Sequence, residues 1–288
     1  FLKYNDKIIT AFAVGFSSNG PYRDLPAYDD IIQAASGMAS YQEAYSDQPS
    51  YTSGATADKA TGLMLALSVV SSLFKRNKDN KDLELEVPMF ETMVDFTLVE
   101  HLYGYNFLPP KDEPVYPRQS SSNRKPYKTK DGFIAVLPYN DEQWLRFLKF
   151  IKKEHLIKTK KFSTLENRNK NVDELYSLLV KELKKEKTNF WIKKLREIDI
   201  PSMKVNKPKD LFIDEHLKKT NFFKTYKHST EGDLMYPRLP VYFNNERDNE
   251  SKFEAPNLGN KTKEILIDLG YDKNEIENLR KEKVIFFE

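Results

Sequence analysis

Between Pro109 and Asn123 the chain carries Pro109, Pro110, Pro114 and Pro117, followed by Ser120-Ser121-Ser122-Asn123. Proline lacks a backbone donor, fixes its own φ and pushes the residue before it out of the helical region, so neither a helix nor a central strand runs through such a stretch. One folded part must therefore end before this break and another begin after it, with an extended, exposed connection over 105–123. A second linker-like stretch, Ile200 to Pro208, closes off the segment 124–199.

Before the break, Ile8 to Gly15 reads as a strand, and Ser17-Ser18-Asn19-Gly20-Pro21-Tyr22 is turn chemistry at its carboxyl end. Ile31, Ile32, Ala35 and Met38 give near-helical spacing over Tyr28 to Ser40, with Asp29 and Asp30 in the first turn, where the helix dipole favours anions. A polar segment, Gln42 to Thr56, leads into Asp58 and then into Leu63, Leu65, Ala66, Leu67, Val69, Val70, Leu73 and Phe74, apolar on most sides and expected to be a buried helix. Leu83, Leu85, Val87 and Met89 alternate with Glu84 and Glu86, the period of a strand with one polar face, and a helix over Phe90 to Tyr103 follows.

After the break, Asp131-Gly132 turns into the apolar run Phe133 to Leu137. Helices are expected near Asp141 to Lys153, Val172 to Lys185 and Thr188 to Ile198, the last with Thr188 as its N-cap. The end of the chain reads as a strand at Val241 to Phe243 and a helix from Thr262 to Leu269 closed by Gly270. Trp144 and Trp191 lie within amphipathic helices and are expected in the core or at an interface.

Several function classes are disfavoured. Lys+Arg 46 against Asp+Glu 43 leaves a formal net charge of +3, too balanced to argue for a nucleic-acid partner. With no cysteine there is no disulfide scaffold, thiolate metal site or cysteine nucleophile, and the histidines 101, 155, 216 and 228 lack metal-ligand spacing. The longest mostly apolar stretch, Leu63 to Phe74, is shorter than the roughly 20 residues a membrane span needs, so no membrane crossing is expected. The chain starts at Phe1 with a strand close behind and no signal-peptide pattern, and its N-terminus is expected to be missing or processed.

Asp58 by itself reads as an acidic residue capping the helix it precedes. Taken in order, however, Gly20-Pro21-Tyr22, Ala27-Tyr28-Asp29 with Gln33, Ala57-Asp58 with Gly62 and Leu63, and Val87-Pro88-Met89-Phe90-Glu91 resemble the CaiB/BaiF family of class III CoA-transferases. Arg124 to Gly132, Phe162 with Arg168, Ile200-Pro201, His228 to Gly232 and Ala255 to Gly259 continue the match in the same order. No single string is specific; their collinearity carries the resemblance, which lacks the front of the family pattern.

The resemblance implies an α/β fold: a Rossmann-like large domain, N-terminally incomplete, formed by 1–104 and the return at 200–288, with a small α+β domain at 124–199 inserted between linkers. It further implies interlocked homodimers, a cytoplasmic location and no tightly bound cofactor or metal, coenzyme A entering as a thioester substrate. Asp58 takes the place of the carboxylate that attacks the thioester and becomes an aspartyl-CoA thioester, from which CoA passes to a carboxylic acid. Such covalent catalysis divides one difficult transfer into easier steps.

Tyr28 stands where the acyl-CoA racemase branch carries a histidine, which removes a general base; its ring either packs on the helix it begins or presents its hydroxyl to the substrate site. Arg118, Arg124, Lys128 and Lys130 form a basic group that is either a solvated linker or a contact for CoA phosphates. His228 and Glu231 read as turn or buried structural residues. Asn260-Lys261 replaces an acidic residue and a histidine of the family pattern, which keeps a non-catalytic, binding-only chain open as an alternative to the transferase, beside the racemase.

Overall fold

The computed structural model describes residue 5 and residues 7–79, 83–244, 246–247 and 255–287. Within it the chain is a mixed α/β structure of two compact units, Phe1–Val205 and Asn206–Glu288.

The first unit opens with β1 (Ile9–Val14), whose β-branched and aromatic residues suit a pleated strand. The chain then forms α1 (Asp29–Ala35), α2 (Met38–Tyr41), α3 (Glu43–Ser46) and the long α4 (Thr56–Asp79) before β2 (Leu83–Pro88) and α5 (Met89–His101). β2 pairs parallel to β1, from Ile9 opposite Leu83 to Val14 opposite Pro88. A parallel pair needs a long crossover, and α4 is the element that returns the chain, packing on both strands and on α5. Phe16, Ile32, Ala57 and Met93 form the buried centre of this region, with Ala27, Met38, Ala60, Met89 and Phe90 against it.

Two expectations change here. The single helix over Tyr28 to Ser40 is two helices, because Gly37 adopts a left-handed backbone (φ 80°) between α1 and α2. α4 is longer than its apolar stretch and is not buried: Leu63, Leu67, Val70 and Phe74 are 74, 62, 50 and 70 % exposed. These four lie along one stripe at helical spacing, while the opposite face meets β1, β2 and α5. Apolar content says that a face needs cover, not what covers it. By length and composition Thr56–Lys78 is long and apolar enough to cross a membrane, which the shorter stretch counted in the sequence did not suggest.

Beyond the proline-rich segment come β3 (Tyr127–Lys128), β4 (Phe133–Val136), α6 (Asp141–Phe150), α7 (Leu165–Lys170), α8 (Val172–Leu183), α9 (Thr188–Glu197) and β5 (Ser202–Lys204). The strands make an antiparallel sheet in the order β3-β4-β5. Trp144, Phe147, Phe162, Leu175, Leu179, Trp191 and Leu195 fill the core beneath it, so both tryptophans are core residues. Trp191 also donates its Nε1 to the Leu183 carbonyl at 2.8 Å. Thr188 is the first helical residue of α9 rather than its N-cap, which is Lys187. Its amide and hydroxyl both donate to Asp131 Oδ1, at 2.8 and 2.9 Å. These donors hold the Asp131 carboxyl below the usual carboxylate range.

The second unit contains α10 (Glu215–Lys219), the antiparallel pair β6 (Phe223–His228) and β7 (Gly232–Pro237), the short pair β8 (Tyr242–Phe243) and β9 (Glu246–Arg247), then α11 (Thr262–Asp268) and α12 (Lys273–Lys281). Gly270 adopts φ 94° just after α11, as expected of a helix-ending glycine. α12 was not anticipated, although Asp272-x-x-Glu275 is a capping box whose two side chains each accept from the other residue's backbone N–H.

Candidate active site at the head of α4

The sequence before α4 folds back on itself. Gly54 and Ala55 both take left-handed backbone, φ 101° and 51°, which turns the chain sharply into the helix. For Ala55 this conformation is strained, and it persists because its neighbours are fixed. Lys59 Nζ donates to the Gly54 carbonyl at 2.5 Å.

The N-terminal amides of a helix lack partners within it and need an acceptor from elsewhere. For α4 that acceptor is Asp29: its Oδ1 receives the backbone N–H of Ala57 at 2.7 Å and of Asp58 at 3.1 Å. Capping is therefore the work of Asp29, not of Asp58. Relieved of it, Asp58 stands exposed in the first turn with no hydrogen bond or ion pair on its carboxylate among the described residues.

Asp29 is itself held by Gln33, whose side chain is fully buried. Gln33 Nε2 donates to Asp29 Oδ2 at 2.6 Å and to the Thr52 carbonyl at 3.2 Å, and its Oε1 accepts from the Thr52 amide at 2.8 Å and the Thr52 hydroxyl at 3.1 Å. Thr52 and Thr56 hydroxyls lie 3.0 Å apart. One amide side chain thus ties α1, the loop before α4 and, through Asp29, the backbone of Asp58 into one network.

Tyr28 precedes Asp29 as the N-cap of α1 and is 78 % exposed, so its ring does not pack on the helix it begins. Among the described residues no hydrogen bond joins it to Asp58; its chain neighbour Asp29 is the residue that bonds the Asp58 amide. The Ser17–Tyr22 loop is held at the carboxyl end of β1 by Glu86 Oε1, which accepts from the Ser18 amide at 2.9 Å, and by Glu91 Oε1, which accepts from Ser17 at 3.3 Å. Ser18 keeps the Glu86 carboxyl below its ordinary range. Tyr22 meets both Phe16 and Phe90 edge to face, and those two rings are tilted against each other. In open parallel sheets, ligand crevices form at the carboxyl ends of strands, which is where this loop lies.

Three members of the basic group suggested by the sequence have partners of their own. Arg124 bonds the Tyr45 hydroxyl at 3.1 Å, Lys130 pairs with Glu186 at 3.3 Å, and Arg118 lies between aromatic rings. His228 is buried, its Nδ1 accepting from the Thr230 and Glu231 amides and its Nε2 meeting the Ala255 carbonyl, as expected of a structural histidine. Lys261 caps α11 at the surface beside Glu264. Among the described residues no group of three His, Asp or Glu side chains could hold a metal.

Asp29 and Gln33 are the site residues that reading the sequence left without a role. Local cues gave Asp29 to the dipole of its own helix, and only the distance between two helix starts shows what it does.

The model of CoA-transferase family III matches residues 1–262. (R)-2-hydroxy-4-methylpentanoate CoA-transferase of Clostridioides difficile is 27 % identical over 96 % of this chain and 70 % of its own. Succinyl-CoA:glutarate CoA-transferase of Homo sapiens is 26 % identical over 94 % of this chain, which spans 62 % of that relative. A solved CAIB/BAIF family protein from Brucella suis superposes with a TM-score of 0.70 at 23 % identity, over 93 % of this chain and 69 % of the other.

Proposed function

The chain belongs to CoA-transferase family III, and from that membership we propose that it serves a transferase moving CoA between an acyl-CoA and a carboxylic acid, with Asp58 as nucleophile. The observation that carries the reading is the exposed, unengaged carboxylate of Asp58 on a helix start whose capping is done by Asp29.

In the first step an oxygen of Asp58 attacks the thioester carbonyl carbon, the C–S bond breaks, and CoA leaves as thiolate from an acyl-aspartyl anhydride. The thiolate then attacks the Asp58 carbonyl carbon and releases the donor's carboxylate, leaving the aspartyl-CoA thioester. The acceptor carboxylate repeats both steps in reverse, taking the CoA and restoring Asp58. No electrons are exchanged, and the chemistry needs only a carboxylate held still against an activated acyl group. Asp29 and Gln33 supply that fixity. Tyr28 lines the approach with a phenol and supplies no imidazole base, which weighs against α-proton exchange. A homodimeric assembly and a cytoplasmic setting accompany this reading.

The test is to incubate the protein with acyl-CoA candidates, trap with hydroxylamine and map the adduct by mass spectrometry. The adduct is expected on Asp58, and Asp58→Asn should lower turnover by about 10³-fold or more. As the side chain is exposed, its stability should stay within about 0.5 kcal/mol. A turnover-competent protein with Asp58 unmodified would sink the mechanism.

A further inference from the structure

Away from α4, a cavity of about 60 Å³ is lined by Tyr116, Arg118, Tyr139, Trp144, Arg168 and Tyr176, among others. A single water needs roughly 10–15 Å³ on this measure, so the space takes several waters or a small molecule. Its most unusual member is Arg118. The guanidinium carbon lies 5.5 Å from the centre of the Tyr116 ring and 5.4 Å from that of Tyr139. Nε donates to the Tyr116 hydroxyl at 3.3 Å, and Tyr176 lines the same cavity.

Among the described residues no carboxylate lies within ion-pair distance of Arg118. Its charge is held by neutral phenols and ring faces, which orient a guanidinium while leaving it uncompensated. The second observation is Arg168, only 3 % exposed. Its Nη1 donates to the Phe162 carbonyl at 2.9 Å and its Nη2 to Asp141, but its Nε is buried with no partner. That Nε is itself sealed from the cavity and the guanidinium is paired with Asp141, so of the two arginines lining the cavity Arg118 is the one left uncompensated.

We infer that this cavity binds a small oxyanion, a carboxylate or a phosphoryl group, through Arg118, at a site sharing no residue with Asp58, Asp29 and Gln33. The planar fork of arginine matches both anions. The reading is independent of the transferase mechanism.

The experiment is an NMR titration of the full chain with acetate and, separately, with inorganic phosphate, at constant ionic strength against sodium chloride. Saturable shifts of resonances around Tyr116 and Tyr139 are expected with one of the two anions, and which one saturates tells carboxylate from phosphoryl recognition. In Arg118→Gln the affinity should fall at least tenfold. Arg118→Lys and Tyr139→Leu, the latter at an exposed ring, should each weaken binding several-fold and serve where Arg118→Gln does not fold. Shifts no larger than those of chloride, or affinities unchanged in the variants that fold, would overturn the inference.

Discussion

Gln33 is the residue on which the geometry around Asp58 depends most. Removing its amide in Gln33→Ala strands Asp29 Oδ2 and the amide and carbonyl of Thr52, all tied to it in the folded chain. Unpaired polar groups of this kind cost about 1–3 kcal/mol. The variant should lose that much by urea denaturation, and its turnover should fall further than the stability loss explains, because the backbone of Asp58 is no longer held. Unchanged kinetics in a folded variant would show that Asp58 needs no such support. At this scale the sequence was readable only in part. Asp58 stood out through the order of the motifs around it, and Tyr28 through what it replaces. Gln33 sits between apolar residues in a helix that opens on two aspartates, and nothing near it in the chain announces that Thr52 is its partner.

Two helices in this chain begin on an aspartate remote in sequence: α4 on Asp29 and α9 on Asp131. Such starts escape local rules, which look for the cap one residue before the helix. The same limit explains why Thr188 reads as a cap and is instead a donor to one. Strands were easier, since alternation at β2 follows directly from one exposed face, whereas the left-handed Gly37 that divides α1 from α2 leaves no mark in apolar spacing. The element most sensitive to a small change is the turn after β1. A Cβ built at Gly15 would come within 2.4 Å of the Ala27 Cβ, so the strand end and the segment leading to Tyr28 and Asp29 touch there. Gly15→Ala should destabilise by about 1–3 kcal/mol, the usual range for overpacking. It should also weaken the Asp29 cap, seen as faster amide exchange at Ala57 and Asp58. Native exchange rates there would mean that the turn absorbs the methyl without moving Asp29.

At the scale of the molecule, the α/β character and the lack of helix or strand across the proline-rich segment were readable, but the chain does not divide there, since one compact unit runs from Phe1 to Val205, and the state of α4 was not readable either. Its exposed stripe of Leu63, Leu67, Val70 and Phe74 lies along one helix face, and Phe96 and Val99 of α5 are exposed as well. Surfaces of this kind mark contact with another apolar partner or promote association. The chain by itself should therefore self-associate with rising concentration in sedimentation velocity, and Leu67→Gln with Phe74→Ser should shift it toward the monomer. A monomer at every concentration would show that the stripe is tolerated in water. Inside a cell, chaperones and proteases survey chains for uncovered apolar stretches and clear those that stay open. The lifetime of this protein then hangs on whatever lies over α4. Loss of that cover would register first as a falling amount of protein, with the catalytic constants of each surviving molecule untouched.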